Sequence, residues 1–128
     1  MSHALFVKVQ LIQPTIGEYD NNSRSGCYPP LGLISIATFI RQECPSVEVE
    51  ILDGELLSQQ EIIARVDADI VGLNTNTVTY PQVLQVAVHA KALGARVVLG
   101  GVYASALPEV ILHKRASLID TVVVGYKE

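Results

Sequence analysis

Residues 69–101 read DIVGLNTNTVTYPQVLQVAVHAKALGARVVLGG, and this stretch decides the fold. Its two ends, Asp69 to Leu73 and Arg96 to Leu99, are short β-branched runs bounded by turn residues, the signature of buried strands. Between them Pro81 to Leu93 carries Leu84, Ala87, Val88 and Lys91 on one side of a helix, and Gly94 stands where a left-handed residue would end it. A parallel return needs a connection long enough to hold a helix, so strand, helix and strand make one unit of a parallel sheet.

The same alternation extends in both directions. Leu5 to Ile12, Val47 to Leu52 and Ile119 to Val124 read as three further strands. Leu31 to Glu43 reads as a helix that enters after Pro29-Pro30, stops before Pro45 and turns Leu33, Ile36, Ala37 and Ile40 inward. Ser58-Gln59-Gln60-Glu61 is a capping box ahead of Ile62, Ile63 and Val66. A last helix covers about Leu107 to Arg115. No repeat or low-complexity stretch interrupts the scheme. It predicts one domain over residues 1–128, a three-layer flavodoxin-like (Rossmann-like) α/β fold with five parallel strands in the order 2-1-3-4-5.

The chain has 128 residues, of which 49% are hydrophobic and 17% charged. A domain of this length buries roughly two-thirds of its unfolded surface, enough for one core. The net charge is −4, and the few Lys and Arg are scattered, which argues against a nucleic-acid partner. No run approaches the roughly 20 apolar residues of a membrane helix, and no basic region with a cleavage site precedes Leu5, so a cytoplasmic protein is expected. Cys27 and Cys44 are too few for a disulfide framework and too far apart for a paired-thiolate metal site.

In such a sheet a ligand binds at the carboxyl ends of the strands, where the strand order reverses between the first and third. The loops there are 13–30, 53–57, 74–80, 100–106 and 125 onward. The first is long for a strand-to-helix connection and carries Gly17, Tyr19, Gly26, Cys27 and Tyr28, which points to function; Asp20-Asn21-Asn22-Ser23 also suits a mobile surface insertion. Asn74-Thr75-Asn76-Thr77 offers four small polar side chains as a ligand floor, with helix capping as the plainer role. Gly100-Gly101 permits close approach of a ligand, or simply a tight turn, and Ser105 follows near a helix start. Asp53-Gly54 reads as a turn, since no Gly-rich dinucleotide fingerprint accompanies it. His3, His89 and His113 fall outside the ligand loops. No nucleophile, base and acid assemble at one edge, and no cluster has metal-ligand spacing, so the chain alone is not expected to be catalytic.

Four motifs stand together at these loops: Pro29-Pro30-Leu31-Gly32-Leu33; Asp69-Ile70-Val71-Gly72-Leu73-Asn74; Val98-Leu99-Gly100-Gly101-Val102-Tyr103-Ala104-Ser105 with Pro108-Glu109; and Ile119-Asp120-Thr121-Val122-Val123-Val124-Gly125. The ordered set resembles the N-terminal cobalamin (B12)-binding domain of class B radical S-adenosylmethionine (SAM) enzymes. These include methyltransferases acting on unactivated carbons and the anaerobic oxidative cyclase of magnesium-protoporphyrin monomethyl ester. The resemblance implies a corrinoid over the carboxyl edge of the sheet. By it, Pro14, Tyr28, Pro30, Leu31 and Gly32 would border the cofactor from the first loop. The nucleotide tail would enter between Asn74, Thr75, Asn76 and Thr77 and the pair Gly100 and Gly101, past Tyr103, Ala104 and Ser105, with Gly125 beside it.

Two departures qualify this picture. Loop 13–30 has no histidine, so the Asp-x-His-x-x-Gly loop that supplies a lower cobalt ligand in cobalamin mutases and methionine synthase is missing, and a cobalamin without a His ligand from this chain is expected. The ending Gly125-Tyr126-Lys127-Glu128 replaces the family's Gly-Glu-Gly-Glu. The family's Cys-x-x-x-Cys-x-x-Cys motif cannot be built from two distant cysteines, so the [4Fe-4S] cluster and SAM would belong to a downstream domain beyond Glu128. Topology alone does not choose a ligand. A flavin or nucleotide module of flavodoxin type and a ligand-free interaction domain therefore stay open. A receiver domain is opposed by Asn74 and by the acid-free Gln13 to Gly17.

Overall fold

The computed structural model describes residues 7–15, 30–76 and 78–124, and the backbone alone at 102 and 103. Ten elements alternate along the chain: β1 (Val7–Gln13), α1 (Leu31–Glu43), β2 (Val47–Asp53), α2 (Gln59–Arg65), β3 (Ile70–Thr75), α3 (Tyr80–Ala92), β4 (Arg96–Gly101), α4 (Val102–Ala106), α5 (Pro108–Lys114) and β5 (Thr121–Val122). All strand pairs are parallel and the order is β2-β1-β3-β4-β5, as the alternation predicts. Because successive side chains point to opposite faces of a strand, each strand feeds two cores. Val9, Leu11 and Val49 turn to α1 and meet Leu33 and Ala37. Ile12, Leu52, Val71, Leu73, Val97 and Leu99 turn to the other face, where α2, α3 and α5 supply Ile62, Val83, Ala87, Ala90 and Ile111.

Helix boundaries follow local chemistry. The Ser58 hydroxyl accepts from the Glu61 N–H while the Glu61 carboxylate accepts from the Ser58 N–H, so the capping box forms as read. Gly94, next to the C-cap Leu93 of α3, has φ +88°. Three expectations are corrected. The buried side of α3 is Val83, Val86, Ala87 and Ala90, and Val88 is 54% exposed, so the helix is rotated from the face inferred above. Residues 83–90 are apolar nearly all round. Packing selects the side whose alanines let the helix lie closest to the sheet. In α1, Ile36 is 47% exposed although Leu33 and Ala37 are buried. The last strand shrinks to Thr121–Val122, because Leu118 and Ile119 donate to the Arg115 carbonyl and close a turn instead of extending the ladder. A helix, α4, also stands where the sequence reads as loop.

Two polar constructions hold the amino-terminal end of the sheet. Gln10 is fully buried in β1; its amide donates to Glu50 (2.8 Å), the Arg65 carbonyl (2.8 Å) and Asp67 (3.1 Å), and its oxygen accepts from the Asp67 N–H (3.0 Å). A buried amide this fully partnered pins the α2–β3 connection to the sheet. Asp120 accepts from Lys91 Nζ (2.6 Å) and the Val97 N–H (2.8 Å), tying the approach of β5 to α3 and β4.

The Lys91 hydrogen bond, with the Val97 N–H behind it, holds the Asp120 carboxyl below its ordinary value of 3.8. A depressed folded-state pKa means that this stabilisation is present above about pH 4 and is lost as pH falls through the folded value. Asp120→Asn should therefore cost on the order of 1 kcal/mol near neutrality. In urea melts the gap between wild type and variant should close below pH 4; a gap of constant size across that range would rule the assignment out.

Candidate functional site

At the carboxyl edge, three neighbouring strands end in uncharged residues. β1 runs out into Gln13, Pro14 and Thr15, β3 into Asn74 and Thr75, and β4 into Gly100 and Gly101. In β3 the side chains on the α1 face are Ile70, Gly72 and Asn74, and in β4 they are Arg96, Val98 and Gly100, since the alternate residues belong to the other core. Along β4 side-chain volume falls steadily toward the carboxyl edge, and in β3 it is smallest at Gly72. A Cβ placed on Gly100 would meet nothing within 4 Å, so the space above it is open. At Gly72 the Leu11 side chain leans across, 3.0 Å from where a Cβ would stand.

The polar residues at this edge are fixed by one another. Thr75 is 2% exposed; its hydroxyl donates to the Gly100 carbonyl (2.7 Å) and accepts from the Ala104 N–H (3.1 Å), joining β3, β4 and α4 through one oxygen. The Asn74 amide donates to the Gln13 side chain (2.7 Å) and ties β3 to β1. Asn76 and Thr79 bond reciprocally: Thr79 N–H donates to Asn76 Oδ1 (2.9 Å) and Asn76 N–H to Thr79 Oγ1 (3.2 Å), which organises the turn into α3. Two of the four small polar residues are therefore strand ties and one is turn chemistry, while Thr77 lies outside the described residues. Ala104 is buried and Ser105 half-buried, both within α4 after the backbone of Tyr103.

Gly101 makes this geometry possible. Its φ is +98°, and a Cβ there would stand 2.6 Å from the Thr75 carbonyl oxygen and 2.7 Å from its nitrogen. The chain thereby passes from β4 into α4 with no intervening residue. Gly54 is tight for a similar reason: its N–H donates to the Gln13 carbonyl (2.7 Å), and a Cβ would lie 2.5 Å from the Pro14 carbonyl carbon. Asp53 Oδ1 accepts from the Glu55 N–H (2.9 Å), so Asp53-Gly54 forms the turn expected of it.

On the far side of the opening, α1 begins at Leu31, with the Pro30 carbonyl accepting from the Ile34 N–H (3.0 Å). Leu31 is 68% exposed and Gly32 has free space about it. Pro14 is buried under the end of β1. The expectations for Gly17, Tyr19, Gly26, Cys27, Tyr28 and Gly125 lie outside the described residues. Gly72 stands in the second motif quoted from the sequence, where a glycine inside a strand signals close backbone approach, whereas Gln13 and Thr79 carry no local signal.

The strand ends beside Gly100 bear no charge, and no group of three or more His, Cys, Asp or Glu could hold a metal among the described residues. Lys8, held above its ordinary value chiefly by its hydrogen bond to Asp67, lies at the other end of the sheet. Among the described residues, the surroundings of Gly100 are thus backbone, amides and hydroxyls, with Asp53 at the end of β2, and such groups suit binding and orienting a ligand.

A parallel sheet in this order, reversing between β1 and β3 and carrying open space at Gly100 of the neighbouring β4, defines a doubly wound α/β domain. The chain belongs to the B12-binding family: the model of the B12 binding domain matches residues 20–128, and cobalamin is the ligand that the family defines. The match begins after β1, yet β1 is hydrogen-bonded between β2 and β3, so the structural domain reaches further toward the amino terminus. Comparison with curated proteins finds no match.

Gly101→Ala should destabilise the fold by at least about 2 kcal/mol, since a left-handed φ and a backbone clash coincide. Gly100→Ala, with free space around it, should change stability by less than about 0.5 kcal/mol. Equal losses in thermal melts of the two variants would contradict the geometry.

Proposed function

We propose that this domain holds the cobalamin of a B12-dependent radical SAM enzyme, with the corrinoid over the carboxyl edge and its nucleotide tail in the crevice at Gly100. The observation that carries the placement is the open space above Gly100, bordered by Asn74 and latched beneath by Thr75. The described residues fit such a group: the missing side chain leaves room for a flat ligand, and among them carbonyl, amide and hydroxyl groups border it without competing charge. Pro14, Tyr28, Pro30, Leu31 and Gly32 would flank the corrin from the β1–α1 side. Asn74, Thr75, Asn76 and Thr77 with Gly100, Gly101, Tyr103, Ala104, Ser105 and Gly125 would receive the tail. When bound, the corrinoid supplies methyl-carrying or redox capacity.

This chain's own residues bind, orient and desolvate that group. The assignment to a radical SAM parent is supported by the four ordered motifs and by the absence of histidine from residues 13–30. In that parent the [4Fe-4S] cluster and SAM would sit in a downstream domain, where radical chemistry would drive methyl transfer or oxidative cyclisation.

Two measurements separate the cofactor from the parent. Hydroxocobalamin added to the purified chain should co-elute on gel filtration and show a corrinoid visible spectrum. Gly100→Leu should fold normally and lose at least about tenfold in affinity, because its side chain fills the crevice. Folded wild-type protein that retains no corrinoid would overturn the cofactor site. Independently, the coding sequence past Glu128 should contain Cys-x-x-x-Cys-x-x-Cys; a stop codon there would end the radical SAM reading and leave the cobalamin site standing.

A further inference from the structure

Strand register places four residues in one row across the carboxyl edge. Gln13 of β1 pairs with Asp53 of β2, and Asn74 of β3 pairs with Gly100 of β4. The β1–β3 ladder runs to Ile12 and Leu73, which brings Gln13 and Asn74 level one step further on. Alternation puts all four on the α1 face, since Leu11, Ile51 and Ile70 pack there and Leu73 and Leu99 pack on the other. The row reads carboxylate, carboxamide, carboxamide and bare backbone.

The two amides are joined in one direction. Asn74 Nδ2 donates to Gln13 Oε1 at 2.7 Å, across 61 residues of sequence. A carboxamide has a donor end and an acceptor end, so a bond that fixes its nitrogen also decides where its oxygen goes. The Asn74 oxygen lies on the other side, against Gly101, where it is the nearest atom that an added Cβ would meet. Among the described residues it accepts no hydrogen bond. Asp53 supports the same direction: a carboxylate next to Gln13 favours the amide nitrogen on its own side and leaves the Gln13 oxygen for Asn74.

The neighbouring polar groups are already engaged. The Thr75 hydroxyl serves the Gly100 carbonyl and the Ala104 N–H, and Asp53 Oδ1 accepts from the Glu55 N–H. The Asn74 oxygen is thus a half-buried acceptor beside the space at Gly100. Such a group gains from a ligand that brings an N–H or O–H, and it opposes a phosphate or carboxylate oxygen. We propose that Gln13 is a positioning residue: by holding the Asn74 nitrogen it presents the Asn74 oxygen beside Gly100, and the site thereby selects a neutral hydrogen-bond donor. The proposal rests on the cobalamin reading. Cobalamin carries two kinds of neutral donor, the primary amides around its corrin and the hydroxyls of its ribose.

Equilibrium dialysis of the purified chain against hydroxocobalamin, at mildly alkaline pH where Glu is ionised, tests it. Gln13→Leu removes the acceptor at similar size; it should keep its circular dichroism and bind at least about fivefold more weakly. Gln13→Glu still accepts from Asn74 and should bind within about threefold of wild type. A Gln13 that only filled space would be replaced better by Leu than by Glu. Tight binding by Gln13→Leu, or binding by Gln13→Glu as weak as by Gln13→Leu, would overturn the positioning role and leave the cofactor site standing. Should Gln13→Leu fail to fold, Asn74→Asp carries the test: it keeps an oxygen beside Gly100 and should also bind within about threefold, and a larger loss would overturn the acceptor. Folded wild type without corrinoid would overturn both readings. Cobinamide keeps the corrin amides and lacks the nucleotide, so a Gln13→Leu penalty with both ligands assigns a corrin amide, and a penalty with hydroxocobalamin alone assigns the ribose.

Discussion

Thr75 is the point on which the functional end of the molecule turns. Its hydroxyl is buried and has both a donor and an acceptor role to fill, and it fills them with the Gly100 carbonyl and the Ala104 N–H. A buried hydroxyl or backbone group left without a partner costs about 1–3 kcal/mol, so the three groups hold one another in register. The bond to Ala104 is possible only because the chain enters α4 at once, and it enters at once only because Gly101 adopts φ +98° against the Thr75 backbone. The last in-sheet residue is therefore Gly101, packed against the Thr75 backbone, and Gly100 just before it keeps open space because it has no side chain.

Much of the architecture was legible because it depends on local chemistry. Alternating apolar runs imply parallel strands, the Ser58–Glu61 box marks one helix start, and Gly94 marks one helix stop; each involves residues within a few positions of one another. What was not legible depends on partners distant in sequence. Asn74, Thr75 and Asn76 look alike in the chain, yet the first bonds to Gln13, 61 residues away, the second to Gly100, 25 away, and the third to Thr79 in its own turn. Composition marks the cluster as polar and small but cannot divide it into a tie, a latch and a cap. The same limit applies to α3, whose sequence is apolar on nearly every side and whose buried face is chosen by packing. The last strand was overextended because Ile119 is buried and β-branched like a strand residue, while its backbone is held in the turn after α5.

Side-chain volume along the α1 face gives the two ends of that surface different capacities. Reading toward the carboxyl edge, β3 presents Ile70, Gly72 and Asn74 and β4 presents Arg96, Val98 and Gly100. The lower part offers the aliphatic side chains of Ile70 and Val98 beside the exposed Arg96, and apolar surface gains roughly 25 cal/mol for each Å² removed from water. The upper part offers absent side chains and hydrogen-bonding groups, which suit a ligand with polar and flat parts. The open space at Gly100 and the aliphatic patch of Ile70 and Val98 are therefore neighbours on one face built from different residues.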